Sequence, residues 1–299
     1  MVVNGGNDFS KGDLIMRKVL LATTALVAMS VTAAHADISI SGNYEWEYTT
    51  NDTGTAWGDD GHINIKATNA ADNGMTFTAV SVITNNSGAN ASNTEANYIQ
   101  VDGDFGSIIL GDYDDSAASA MDGALGRNND IETQVGLGDA DTAIGIGGTA
   151  DITWMSPSLS GFKVGLSKDL TDSDTDLNDG KTDVGVTYSI GGASVYYGNS
   201  DDDTAFGVKG SIAGFTVAVG NKTVSGSTEK ANDVAVKYTL GNGITIAALS
   251  ATGTSSAGAK TKASNFGASY AIVPGVKLNA ETGKVGTSNY SWVAVNMSF

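Results

Sequence analysis

The sequence predicts an all-β fold, a transmembrane antiparallel β-barrel of 16 strands, and three observations carry that reading. Apolar and polar residues alternate with a period of two in segment after segment. Tight, glycine-bearing turns recur between longer polar stretches. Beyond the first 36 residues, no stretch approaches the run of about 18 apolar residues that a helical membrane span needs.

The N-terminal segment has the parts of a secretory signal. Met16, Arg17 and Lys18 precede an apolar run from Val19 to Val31, and the small residues Ala33, Ala34, His35 and Ala36 close it. A positive start, a short apolar middle and an A-x-A end are read by the export machinery. The run is too short to span a bilayer as a helix, which takes about 20 residues. The expected organisation is an upstream extension over residues 1–15, a signal peptide over 16–36 and the barrel over 37–299. The expected destination is the bacterial outer membrane, reached by export across the inner one.

Composition narrows the function. The chain has no cysteine, so disulfides and thiolate metal sites are excluded. A net charge of -17 argues against a nucleic-acid partner. With 39 Gly and 2 Pro, and many Thr, Ser, Asn and Asp, the chain is either a polar all-β secreted protein or a membrane barrel whose polar lining hides its apolar face in the average. Periodicity separates these.

In the last segment Val293, Val295, Met297 and Phe299 share one face, while Trp292, Ala294, Asn296 and Ser298 share the other. Successive strand side chains point to opposite sides, so this is a two-faced strand. The segment from Ile38 does the same, with Ile40, Tyr44, Trp46 and Tyr48 alternating against Ser39, Ser41, Asn43, Glu45 and Glu47. Segments around Lys66, Lys163, Val186 and Lys237 repeat the pattern.

Seven short turns punctuate these segments: Asp72–Gly74, Asp102–Asp104, Ser158–Gly161, Gly191–Gly192, Ala213–Gly214, Gly241–Gly243 and Pro274–Gly275. Their residues suit tight hairpins. Between them lie eight stretches read as long connections: Thr50–Gly61, Asn85–Thr94, Asp112–Ala150, Asp169–Lys181, Asn199–Asp203, Thr223–Asn232, Thr252–Lys262 and Gly286–Ser288. Long and short connections in alternation give 16 strands, with the two kinds segregated to opposite ends, as in outer-membrane barrels. A barrel of that size encloses a water-filled channel.

The mature chain resembles the general porins of α-proteobacteria, the Rhodobacter-type trimeric porins. Three places carry the resemblance: Asp37-Ile-Ser-Ile-Ser-Gly-Asn43 after the signal, Phe105-Gly-Ser-Ile-Ile-Leu-Gly-Asp-Tyr113, and Trp154-Met-Ser-Pro-Ser-Leu-Ser-Gly-Phe162. It implies a homotrimer, passive diffusion of ions and small hydrophilic solutes, and a long third loop folded into the lumen. It also implies that Phe299 is read by the barrel-assembly machinery.

The third long connection carries the candidate constriction, with Asp112, Asp114, Asp115, Asp122, Asp130 and Glu132. Opposite charge is expected on the wall from Lys66, Lys163, Lys209, Lys237 and Lys277, whose neighbours on both sides are apolar. A lysine facing lipid at mid-depth costs about 2–4 kcal/mol, which favours the inward phase. An acidic loop facing a basic wall sets a transverse field with a modest preference for cations. The family usually places arginines on this wall; lysine is a more mobile point charge. No cofactor is required. Asp172, Asp174, Asp176 and Asn178 are spaced like the first half of a calcium loop, but the downstream bidentate Glu is missing. Divalent ions could bridge such loops to lipopolysaccharide.

Two other classes stand against a channel. A secreted adhesin or surface-layer β-protein fits the composition but gives no reason for the terminal Phe299. An outer-membrane barrel hydrolase would rest on Asp59, Asp60 and His62, and a triad needs an oriented base.

Overall fold

A computed structural model of the chain describes residues 36–84, 96–113, 115–123, 146, 148–170, 180–200 and 203–299. The expected signal segment, apart from Ala36, lies outside them. The strands are β1 (Asp37–Asn51), β2 (Gly54–Ala70), β3 (Thr76–Thr84), β4 (Ala96–Gly103), β5 (Gly106–Tyr113), β6 (Ala150–Met155), β7 (Phe162–Lys168) and β8 (Thr182–Ile190). There follow β9 (Ala193–Ser200), β10 (Asp203–Ile212), β11 (Phe215–Val224), β12 (Lys230–Thr239), β13 (Thr245–Thr254), β14 (Lys260–Val273), β15 (Val276–Val285) and β16 (Ser288–Ser298). One short helix, α1 (Ala117–Gly123), lies between β5 and β6.

Each strand pairs with its sequence neighbours and β1 pairs with β16, so the sheet closes into a barrel of 16 strands. Closure leaves no exposed ladder edge, the condition a sheet must meet in lipid. The closing register sets Tyr44 opposite Met297, Trp46 opposite Val295 and Tyr48 opposite Val293. These face outward together with Phe206, Phe266 and Leu278, and all but the half-buried Val295 are exposed on the isolated chain. Glu45, Thr49, Asp183, Asp233 and Glu281 occupy the alternate, inward positions. An apolar outside and a polar inside is the arrangement a bilayer solvates. No helix among the described residues is long and apolar enough to cross a membrane; the strands cross it.

All seven expected short turns join strands at one end. Positive φ falls on Gly74, Gly161, Gly191, Gly192, Gly214, Gly243 and Gly275, where a side chain would be strained. Phe215 and Tyr238 stack just inside this end, with ring centroids 4.6 Å apart. This is where an aromatic girdle meets the membrane interface.

The other end corrects the reading of eight long connections. Only the segments between β3 and β4, β5 and β6, and β7 and β8 are long. Thr50–Gly61 is instead a tight turn between two long strands. The Asn51 side-chain oxygen accepts hydrogen bonds from the Thr53 N–H at 2.9 Å and the Gly54 N–H at 3.1 Å, an Asx-type turn. β1 and β2 run 15 and 17 residues, beyond the 9–11 or so that cross a bilayer. Their upper rungs mix polar residues with Ala56 and Trp57 and carry no regular apolar face, and hydropathy alone reads such rungs as loop.

Asn242 and Ser255 stand at opposite ends of β13, whose 10 residues span about 33 Å. A tag inserted at Ser255 is expected to label on intact cells and one at Asn242 is not; equal labelling would overturn the topology.

Candidate functional site: the inward wall of the barrel

The site is the inner face of the sheet, and the pleat decides who belongs to it. The registers place Lys66 opposite Val80, Lys163 opposite Thr187, Lys209 opposite Ala218, Lys237 opposite Thr216 and Lys277 opposite Asn296, all on the inward face. They stand on β2, β7, β10, β12 and β15, spread around the circumference and toward the short-turn end. This is a ring, where a transverse field calls for one basic wall. The wall also holds charged residues that sequence reasoning left unassigned. Lys222 faces inward and pairs with Asp203, N to O 2.7 Å.

Where β15, β16 and β1 meet, carboxylates line the interior and are held in place by their neighbours. The Trp292 indole N–H donates to Glu47 Oε2 at 2.8 Å. The Tyr290 hydroxyl donates to Glu281, and the Asn296 amide donates to Glu45. The Asn279 amide donates to Asn296 Oδ1 at 2.6 Å. The three bonds that end on carboxylates are of the charge-assisted kind, stronger than neutral ones. They fix the orientation of carboxylates that would otherwise swing in the channel. Their signal was the alternation itself: Glu45 and Glu47 fall between outward Tyr44, Trp46 and Tyr48.

The candidate constriction residues divide. Asp112 lies opposite Asn97, on the face of Ile99 and Leu110, so the pleat turns it outward and not into the channel. Asp115 is half-buried just ahead of α1. Asp114, Asp130, Glu132 and the side chain of Asp122 lie outside the described residues, as do Asp172, Asp174, Asp176 and Asn178.

α1 itself is well placed. Ser116 caps it, its hydroxyl accepting from the Ser119 N–H at 3.3 Å. The helix lies against the inward faces of β7, β8 and β9. The Ala117 N–H donates to Ser167 Oγ at 2.8 Å and the Tyr196 hydroxyl donates to the Ala118 carbonyl at 2.9 Å. Ala118 and Met121 pack with Tyr196, Ala205 and Ile146, and Met155 flanks them. The wall beneath is a row of glycines in register: Gly165 opposite Gly185, and Gly185 opposite Gly198. A Cβ at Gly165 would stand 3.0 Å from the Ala117 Cβ, and one at Gly185 would land against the Ala117 carbonyl oxygen. None of the three has positive φ; glycine is required here for space.

The hydrolase constellation does not assemble. Asp60 and His62 share the inward face at 3.5 Å, but Asp59 is turned to the other side, where it accepts from the Tyr44 hydroxyl at 2.8 Å. Among the described residues, no cluster of three or more His, Cys, Asp or Glu side chains is arranged to hold a metal ion.

Comparison with known proteins agrees with this architecture. A search of curated sequences finds no match. Solved structures match over nearly the whole barrel. A mutant of the Rhodobacter blastica porin aligns with TM-score 0.72 at 19% identity, over 88% of this chain and 100% of that one. Salmonella typhi OmpF, in complex with daunomycin, aligns with TM-score 0.72 at 14% identity, over 91% and 100%. A loop-deletion mutant of Vibrio cholerae OmpT aligns with TM-score 0.66 at 13% identity, over 88% and 99%. At these identities the likeness speaks for the fold. The family model of the Gram-negative porins matches residues 22–290, and with it the chain belongs to that family, the channel-forming β-barrels of the outer membrane.

Proposed function

We propose that this porin lets ions and small hydrophilic solutes diffuse passively through a lumen narrowed by the segment between β5 and β6, with a modest preference for cations, and that it works as a homotrimer. The observation that carries the reading is the seating of α1 on the glycine row by the bonds to Ser167 and Tyr196. The described start of that segment lies on the inner wall, which supports reading the segment as part of the lining. Its carboxylates then add to those of Glu45, Glu47, Asp183, Asp233 and Glu281. A lining dominated by one sign concentrates counter-ions. The lysine ring opposes this near the short-turn end, which keeps the preference modest.

The test is the reversal potential of the purified channel in a planar bilayer under a KCl gradient. K⁺ preference is expected in dilute salt and should fade toward 1 M, where the Debye length is about 3 Å. Replacing Asp114, Asp115 and Asp122 together by Asn should move the reversal potential toward anions. An unchanged potential would remove this segment from the conduction path.

A further inference from the structure

We infer that Lys230, Lys260, Lys262 and Lys284 form an outward-facing binding surface for a phosphorylated glycolipid of the outer leaflet. The inference rests on the outer-membrane location and assigns the lipid partner to particular residues. Lys230 opens β12, Lys260 and Lys262 stand first and third in β14, and Lys284 is the last residue but one of β15. All four therefore lie within three residues of the long-loop end. Lys230 and Lys260 flank Thr254 on the same rung, about 10 Å apart at two strand spacings. Lys284 lies opposite Ser264, which places it diagonal to Lys262, about 7–8 Å away.

The phase of each strand points these lysines outward. Lys230 shares its face with Val234 and Tyr238, Lys262 with Phe266 and Tyr270, and Lys284 with Leu278 and Ala280. All four are exposed. Just below them on the same face come Asn232, Thr252, Ser264, Thr282 and Ser291, and below those the apolar belt. The order from belt to hydroxyls and amides to ammonium groups follows the profile of a lipid from acyl chain to sugar to phosphate.

In a chain of net charge -17, this gathering of lysines with no outward carboxylate among them on β12–β15 is an anomaly. Like charges at such spacing repel, and an anion between them reverses the sign of that energy. The opposite side of the barrel differs. There, among the described residues, the outward charges on the strands near the loop end are the carboxylates Asp59 and Asp112 and a single lysine, Lys168, whose Nζ donates to the Thr182 hydroxyl at 3.3 Å. The glycolipid surface therefore covers one sector of the circumference.

The experiment is native mass spectrometry of the detergent-solubilised protein titrated with purified diphosphorylated lipid A. The same lipid stripped of its phosphates, and inorganic phosphate as competitor, form the other arms. Lipid A should bind, the dephosphorylated lipid should bind at least about tenfold more weakly, and millimolar phosphate should not displace it. Replacing all four lysines by Gln should weaken lipid A binding by about 30-fold or more, since each basic residue near an anionic lipid surface contributes about a fivefold factor. Replacing the inward Lys163 and Lys277 by Gln should leave it unchanged. Equal binding of the two lipids by the native protein, displacement by free phosphate, or undiminished binding by the folded quadruple variant would each overturn the assignment. Channel conductance of the quadruple variant, which should stay at the wild-type value, separates a failure of this surface from a failure of the porin reading.

Discussion

Replacing Gly185 by Leu should unseat α1 from the inner wall. The added Cβ meets the carbonyl oxygen of Ala117, and Met121 Cγ at 2.7 Å. Met121 can swing away, but a backbone carbonyl moves only if the helix moves. Overpacking of this kind costs about 1–3 kcal/mol, which shifts the balance between seated and released helix by roughly 5- to 150-fold. The wall lies behind the helix, so it yields toward the axis. It then forfeits the bonds from Tyr196 and to Ser167. Lower single-channel conductance, added open-channel noise and faster hydrogen exchange at the Ala117 amide are the expected results. Gly210→Leu is the control, because a Cβ there touches only the Ala193 Cβ at 3.9 Å. Wild-type conductance and exchange in the Gly185 variant would show that the glycine row is not the seat of the loop.

The strand count and phase were legible in the sequence because a bilayer and a water-filled lumen impose opposite chemistry on alternate residues. Val293, Val295 and Met297 against Trp292, Ala294 and Asn296 required only period two to read. The short turns were legible because positive φ demands glycine at positions such as Gly243 and Gly275. Upper strand rungs were not legible. Where β1 and β2 run on beyond the length that crosses a bilayer, Trp57 stands alone among polar and small residues and no regular apolar face remains to contrast, so Thr50–Gly61 passed for loop. Asp112 was misread for a related reason: loop composition says nothing of phase, and only the register with Asn97 shows which way its carboxylate turns. The glycine row is the subtler case. Gly165, Gly185 and Gly198 are far apart in sequence and become one feature only when two registers align them. Their inward phase was present in the sequence; their alignment was a property of the sheet.

Deleting Phe299 should sharply reduce the yield of barrel in the outer membrane, because that residue acts at the only junction where the first and last strands meet. Its N–H donates to the Gly42 carbonyl at 3.0 Å, and its carbonyl accepts from the Gly42 N–H at 2.9 Å, the last rung of the closing ladder. Its ring lies over Gly42 on the outward face, where a Cβ at 42 would stand 2.7 Å from Phe299 Cζ. Two ladder bonds contribute about 1 kcal/mol each, and the ring adds apolar cover at the lipid interface. The outward ring is also the part that the resemblance assigns to the assembly machinery. Substitutions separate the two contributions. Phe299→Tyr keeps backbone and aromatic face and should assemble at the wild-type level. Phe299→Ala keeps the rung but loses the ring and should fall by about threefold, while the deletion, losing both, should fall by about tenfold and leave periplasmic aggregates. Heat-modifiable barrel in outer-membrane fractions, resolved by gel, gives the ranking. Equal yields from the deletion and the native chain would mean that closure of β1 on β16 does not depend on its terminal residue.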